Sequence, residues 1–582
     1  MTFTPVVTEQ RFLLDHIVGI EELASHERFA DATPDMVEAI LVGAGEFAAE
    51  EYGPTNRTGD VNNPKWQDGT VTMPPGFKQA YQNFVVNGWG SLNGPTEFGG
   101  QGLPYALYTA LIEDLGTANM GFTLVNILTP GAIESLIHHG SPEQQEKWLP
   151  KLISGEWTGT MNLTEPQAGS DVGALKTIAT PITEGEHAGK YKIKGTKIFI
   201  TFGEHDLTDN IIHLVLARTP GAPEGTRGIS LFIVPKNHVN DDGSIGAAND
   251  VRCVSIEHKL GIHGSPTCVM SYGDNDECIG ELIGGEFGGM KAMFTMMNNA
   301  RLNVGNQGVH IAEAATQKAV QYAKERVQSA KAGSPDKSPV AIIEHPDVRR
   351  MLLRMKAQTE AARALVYYAA GQVDRAALGL DGAQSRLDVL IPLAKAHATD
   401  IGCEVASIGI QVHGGMGFIE ETGAAQYYRD ARIAPIYEGT NGIQAADLVG
   451  RKMSMDNGLA LDNLIADIKA GAEGEPTLGS LADAITQTVG WMRSASVDDK
   501  LAGSYPLLTM VSVATCGWLM AQQDRIAREA IATNPENPFL QAKLVTTRFY
   551  LDRIVPEALG LASQAVGGAQ LLYALEADVL FG

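Results

Sequence analysis

Apolar residues fall at helical spacing through the first part of the chain. Phe12, Leu13 and Leu14 with Ile17 and Val18, then Val37 with Ile40 and Leu41, each build one apolar helix face. Thr33-Pro34-Asp35 predicts a helix start, a hydroxyl cap followed by proline in the first turn. Residues 55–72 are polar and turn-rich and predict a surface excursion, and Ser141-Pro142-Glu143 predicts a further helix start. From about 159 the pattern changes. Residues 211–217 and 229–234 are short apolar runs, and clusters of Pro, Gly, Asn and Asp separate such runs, which predicts a β domain closed as a small barrel. Helical spacing returns near 281. Residues 301–329, a helix opening at Pro346, another over about 387–412 and the segment after Thr440 predict a four-helix bundle, with Arg301 in the first turn of its long helix. Residues 456–478 read as a linker, and three more helices follow over 481–494, 505–532 and 539–562. The expected fold class is α+β and multidomain: an N-terminal helical domain (1–158), a middle β-barrel (159–280), a C-terminal four-helix bundle (281–455) and an extra C-terminal helical domain (456–582).

Composition narrows the functions this layout can serve. The 582 residues are 44% hydrophobic, enough for several cores. A net charge of −24 disfavours nucleic acid as a partner, because phosphate binding needs clustered Lys and Arg. Residues 456–582 share the bias, with 8 Lys and Arg against 15 Asp and Glu. The five cysteines include no CxxC pair, so neither a disulfide framework nor a metal site is expected, and a reducing, cytoplasmic setting fits. The N-terminus lacks a basic start followed by an apolar run, which argues against a signal peptide, and its first thirty residues are too acidic for a transit peptide. The least charged long run, 505–522, is broken by Thr509, Ser512, Thr515 and Gly517; it reads as a buried core helix and not as an integral membrane span.

Candidate chemistry concentrates near residue 438. Glu438 sits between Tyr437 and Gly439, followed by Thr440, Asn441 and Gln444, with Gly414, Gly415 and Gly417 upstream. A carboxylate flanked by Ile436 and Tyr437, with no cation adjacent in the chain, is placed for a raised pKa and proton transfer. The alternative is a loop glutamate that bonds its own turn. Ser170 and Asp171, near the start of the β domain, can cap a short turn or bind a ligand. The glycine loop 95–102 follows no strand and reads as a helix connector before a nucleotide loop.

The stretch IYEGTNGIQ (436–444), preceded by QVHGGMGF (411–418) and YYRDARI (427–433), resembles the C-terminal signature of the acyl-CoA dehydrogenase family of FAD enzymes. LTEPQAGSD (163–171) is similar to that family's LTEPxAGSD, IKGTKIFITFG (193–203) to its NGxKxWITNG, and KERVQS (324–329) to its ERxxFG turn. The resemblance implies that Glu438 is the catalytic base and that Arg301 helps to order it and the substrate. Where a minority of the family carries the base instead, this chain has Ala300, which cannot serve. It implies that Met161, Leu163, Thr164, Phe199 (in place of the usual Trp) and Thr201 lie at the flavin, with Ser170 at a phosphate. Arg326 and Gln328 would reach the FAD pyrophosphate or adenine across a homodimer, Gln411 and Gly415 the cofactor of a neighbouring subunit, and Thr440 and Gln444 the flavin edge. The implied chemistry is loss of the α proton of an acyl-CoA to Glu438 and of the β hydrogen, as hydride, to flavin N5. The thioester oxygen would accept from the Glu438 N–H and a ribityl hydroxyl. Electrons would pass to an electron-transfer flavoprotein. The first residues and the C-terminal extension look most like family members that act on 3-(methylthio)propanoyl-CoA in dimethylsulfoniopropionate breakdown. Short-, medium- or long-chain acyl-CoAs and an oxygen-using acyl-CoA oxidase are the alternatives. A DNA-binding flavoprotein of the same fold is disfavoured by the acidic extension.

Overall fold

Thr33 caps the helix Pro34–Phe47, its hydroxyl accepting from the Met36 N–H at 3.3 Å, as the Thr-Pro pair predicts. The computed structural model describes residues 3–580. Helices Tyr105–Ala118, Met120–His139 and Pro142–Ser154 complete the N-terminal layer, the last begun by a capping box between Ser141 and Gln144. Residues 55–72 are more ordered than a surface excursion: most of the helix Gly53–Val61 and a small hairpin, Lys65–Gln67 with Thr70–Thr72, occupy them.

Eight strands form one curled sheet. Its path runs Val251–Ile256, Thr267–Tyr272, Tyr191–Thr201, Ile279–Ile283, Ser230–Pro235, Ile211–Ala217 and Thr158–Asn162, with Ile178–Pro181 paired to Tyr191–Thr201. Every pairing is antiparallel except the last, Thr158–Asn162 against Ile211–Ala217. The two edge strands do not pair with each other. The curl nevertheless brings the end of Thr158–Asn162 back to Tyr191–Thr201, where the Ile198 N–H donates to the Thr164 carbonyl at 2.9 Å. The middle domain is thus an open, partly closed barrel.

The long helix spans Gly289–Glu325, twelve residues earlier in its start than the sequence pattern suggests. Arg301 therefore lies in the helix interior and is buried, not in a first turn. The expectation failed because Met290, Met293, Met296 and Met297 supply an apolar face that carries no cap signal. Pro346–Ala377 and Ala383–His413 pack along it, and Asn441–Gly450 is a short fourth helix. The contact between the long helix and Ala383–His413 is backbone-close. A Cβ on Gly308 would stand 2.0 Å from the Ala398 carbonyl oxygen, so glycine is required there.

The segment 456–478 is not a linker throughout, since Leu459–Gly471 is a helix. Helices Pro476–Ser494, Ser504–Thr533 and Pro538–Phe549 follow. Ser504–Thr533 lies against the bundle, and its apolar side chains join the core shared by the N-terminal helices and the bundle. Buried Lys543 ties all three regions together, pairing with Glu9 at 2.6 Å and Glu360 at 3.0 Å. Met120–His139 and Ser504–Thr533 are long and apolar enough to cross a membrane, and both are mostly buried inside the fold.

Candidate active site

A second apolar core joins the N-terminal helices, the sheet and the start of the long helix, and a cavity of about 480 Å³ opens beside it. Its wall brings together Met161, Leu163, Thr164, Ser170, Phe199, Thr201, Arg301 and Glu438, eight of the residues singled out from the sequence. Leu128, Met290, Phe294 and Met297 add an apolar strip, and Asp447 and Arg451 lie at the polar side. The motifs did not reveal these six. The methionine-rich run before Arg301 was the available signal for three of them.

Backbone strain places two of the wall residues. Phe199 has φ +59° and stands 58% exposed where an extra residue bulges the strand Tyr191–Thr201 against Thr267–Tyr272. Glu438 has φ +55° and follows a turn in which the Ile436 and Tyr437 N–H groups both donate to the Ile433 carbonyl. The Tyr437 hydroxyl donates to Gln307 on the long helix, which anchors the turn. Among the described residues nothing accepts from the Glu438 N–H, so that donor is available at the cavity.

The electrostatics at Glu438 suit a base. Burial raises its pKa above the ordinary carboxylate value, and Arg301 and Lys395 pull it back. The Arg301 guanidinium is buried and lies next to Gly439, since a Cβ there would be 3.6 Å from its Nη2. Its Nε is buried without a partner. Gln444 braces the same loop from below, donating to the Gly439 carbonyl at 3.2 Å and to that of Glu438 at 3.4 Å. Thr440 caps Asn441–Gly450 through the Ile443 N–H at 3.1 Å. Thr440 and Gln444 therefore shape the Glu438 loop and do not themselves line the cavity.

The segment that carries Leu163, Thr164 and Ser170 is pinned by a buried ion pair. Lys197 donates to Glu165 at 2.8 Å and to the Leu163 carbonyl at 3.0 Å. Burial alone would raise the Glu165 pKa, but Lys197, Thr177 and the Lys176 N–H outweigh it and hold it at about 2.

Arg326, Gln328, Gln411 and Gly415 lie elsewhere. Tyr322 stacks on His413 with ring centroids 4.3 Å apart, so the end of the long helix and the 411–418 turn share one exposed end of the bundle. Along the helix that end is roughly 30 Å from Arg301. One bound dinucleotide cannot span both groups of residues. Val327, Met416, Phe418 and Ile419 are exposed there, Phe418 at 86%.

The residues at the cavity fit a flavin: an exposed aromatic face at Phe199, free hydroxyls at Thr164, Ser170 and Thr201, and a buried guanidinium with an unused donor.

Comparison with known proteins agrees along the whole chain. Family models match in order: acyl-CoA dehydrogenase N-terminal domain at residues 36–156, middle domain at 160–274 and C-terminal domain at 288–453, then "acetyl-CoA dehydrogenase C-terminal like" at 466–576. A protein named 3-methylmercaptopropionyl-CoA dehydrogenase from Ruegeria pomeroyi is 44% identical over 576 residues, covering 96% of this chain and 97% of its own. A butyryl-CoA dehydrogenase from Syntrophomonas wolfei is 38% identical, with 94% of both chains covered. The crystal structure of an acyl-CoA dehydrogenase complexed with FAD from Bacillus anthracis has a TM-score of 0.74 at 21% identity, covering 95% of this chain and 91% of that one, and supports the fold.

Proposed function

The chain belongs to the acyl-CoA dehydrogenase family, and from that premise we propose that its substrate is 3-(methylthio)propanoyl-CoA and its base Glu438. The reaction class is FAD-dependent dehydrogenation of an acyl-CoA thioester. The observation that carries the assignment of the base is its place: a half-buried carboxylate on the cavity wall, with an apolar strip of Leu128, Met290, Phe294 and Met297 on the same cavity. Burial brings its pKa towards the working pH, which favours removal of a weakly acidic α proton. The Glu438 N–H is an available donor for the thioester oxygen as negative charge grows on it. Leu163, Thr164, Phe199, Thr201 and Ser170 would hold the FAD, which when bound supplies the hydride acceptor. Arg301 keeps positive charge beside the base loop, and the apolar wall excludes water from the reacting carbons.

Two features favour a short thioether chain. The cavity beside Glu438, about 480 Å³, would take the flavin ring and the acyl group together, which favours a short chain. Its wall carries three methionines, Met161, Met290 and Met297, polarisable neighbours for a substrate sulfur. The full-length likeness to the Ruegeria pomeroyi protein points the same way. Butanoyl-CoA is the second reading, favoured by the Syntrophomonas wolfei relative.

The electron acceptor is an electron-transfer flavoprotein, the protein is cytoplasmic, and the functional unit is a homodimer. The dimer accounts for the exposed Arg326, Gln328, Gln411 and Gly415, which lie too far from this chain's own cavity to share one cofactor with it. Analytical ultracentrifugation tests the assembly. Anaerobic titration of the flavin absorption band with 3-(methylthio)propanoyl-, butanoyl-, octanoyl- and palmitoyl-CoA tests the substrate, and preference for the long chains refutes the thioether reading. Glu438→Gln is expected to retain FAD and bind acyl-CoA while flavin bleaching slows by about three orders of magnitude or more. Wild-type bleaching by this variant removes Glu438 from the mechanism.

A further inference from the structure

Lys395 lies in the middle of an otherwise apolar helix turn, Leu393-Ala394-Lys395-Ala396, and is fully buried. Its Nζ makes one hydrogen bond, to Asn441 Oδ1 at 2.9 Å. Among the described residues no carboxylate forms an ion pair with it, yet Glu438, Asp400 and Arg301 are the charges that act on it. A buried ammonium with a single acceptor is costly, so the fold keeps it for a reason other than stability. The long helix forces the placement: Gly305 and Gly308 let its backbone press against Ala394 and Ala398, where a Cβ on Gly305 would be 2.9 Å from the Ala394 carbonyl oxygen.

Behind Lys395 the contacts continue without a gap to the C-terminal extension. Asn441 Nδ2 donates to Asp400 Oδ1 at 2.8 Å and to Thr399 Oγ1 at 3.0 Å. The Tyr505 hydroxyl, at the start of Ser504–Thr533, donates to Asp400 Oδ2 at 2.5 Å. Asn441 is three residues after the base, so this line of groups ends at the loop that carries Glu438.

We propose that Lys395 is a positioning residue for the base, holding Asn441 and the Glu438 loop and supplying positive charge behind the carboxylate, and that Tyr505 of the extension sets that charge through Asp400. The inference rests on Glu438 being the base. Burial brings the Lys395 amine down to about 7, with Glu438 and Asp400 opposing and Arg301 assisting, so its charge near neutrality depends on Asp400 staying ionised. Burial raises the Asp400 pKa, and Tyr505, Asn441, Lys395 and Arg432 hold it down. Loss of the Tyr505 hydroxyl therefore makes Asp400 easier to neutralise, Lys395 easier to deprotonate and Glu438 harder to ionise. Arg301 from the long helix, itself facing Asp447 and Arg451, is the other cation acting on Glu438 and stays in place throughout.

The test is the pH dependence of turnover by the holoenzyme with acyl-CoA and a ferricenium dye as electron acceptor, with kcat and KM resolved at each pH, run beside anaerobic flavin bleaching. Lys395→Met is expected to move the acid limb of kcat up by about 1 pH unit with little change in KM. Tyr505→Phe moves it in the same direction by less. The double variant matches Lys395→Met in its acid limb, because the inference routes the charge effect of Tyr505 through Asp400 to the lysine. Additive shifts in the double variant, or an unmoved acid limb in both single variants, overturn the inference. If Lys395→Met does not fold, Tyr505→Phe at the edge of the extension decides by itself: an upward shift supports the inference and an unmoved limb overturns it. Glu438→Gln, run alongside, separates the two readings. If it abolishes bleaching while the other variants leave the profile unmoved, the base stands and the lysine line falls.

Discussion

Replacing Lys197 with Met tests whether a buried ion pair holds the wall that carries Leu163 and Thr164. Methionine keeps the length and apolar volume of the lysine stem but removes the Nζ donors to Glu165 (2.8 Å) and to the Leu163 carbonyl (3.0 Å). Glu165 would keep four donors, the Lys176 N–H at 2.6 Å, the Thr177 hydroxyl at 2.6 Å, the Gln167 side-chain amide at 2.7 Å and the Thr177 N–H at 3.1 Å, but no cation. The drop from 4.5 to about 2 in the wild type corresponds to about 3 kcal/mol of preference for the ionised carboxylate. Stranding a buried charge costs a similar amount, about 3–5 kcal/mol. The sign of the pH dependence then reverses. In the wild type the Glu165 contribution is complete above the ordinary carboxylate pKa and is lost as pH falls through about 2. In Lys197→Met burial is opposed only by neutral donors, the carboxyl titrates higher, and the variant recovers as the pH becomes mildly acidic. If about 1.4 kcal/mol of the loss falls on cofactor binding, FAD affinity drops about tenfold. Release of FAD, followed by its fluorescence on dialysis and on heating at neutral and mildly acidic pH, measures both effects. Adding Glu165→Gln removes the stranded charge and is expected to restore part of the loss. Wild-type FAD retention by Lys197→Met, or a double variant worse than the single one, refutes the reasoning.

Gly439→Ala puts a Cβ 2.8 Å from Gln444 Nε2 at a backbone φ of +79°, so the Glu438 loop has to shift. Stopped-flow bleaching is expected to slow by about tenfold or more while the flavin spectrum is retained. Lys543→Met leaves Glu9 buried without its cation, although Lys356 remains 2.6 Å from Glu360. The variant is expected to lose about 3 kcal/mol of stability, seen as faster proteolytic cleavage within residues 459–580.

How much of this could be read from the chain depended on whether a residue's role was local. Leu163, Thr164, Phe199 and Thr201 are legible only through the likeness of their short runs to the family motifs, Glu438 also through its apolar neighbours, and the cavity does bring them together with Arg301. The start of the long helix was misread because Met290 to Met297 carry helical periodicity without a cap or a proline. The segment 456–478 was misread because its Gly and Pro residues flank a helix, Leu459–Gly471, instead of filling a loop. Thr440 and Gln444, which the resemblance puts at the flavin edge, cap Asn441–Gly450 and hold two carbonyls of the Glu438 loop, while Gln444 Oε1 stays buried without a partner.

Lys395 shows why the rest was hidden. In the sequence it is one charge among forty-four Lys and Arg, and the usual fate of such a residue is a solvated helix face. Only the packing of Gly305 and Gly308 against its helix shows that it has no route to water, and only the extension shows what lies behind it. That arrangement bears on the extension itself. A domain added merely to cover the apolar side of the bundle would need leucines and valines at the contact, and Ser504–Thr533 has them. It would not need a tyrosine hydroxyl 2.5 Å from a half-buried aspartate. An apolar cover also leaves the pH profile of the reaction independent of residue 505, whereas the line of contacts inferred above ties the two together. The acid limb of Tyr505→Phe therefore distinguishes a domain that only covers the bundle from one that forms part of the catalytic electrostatics.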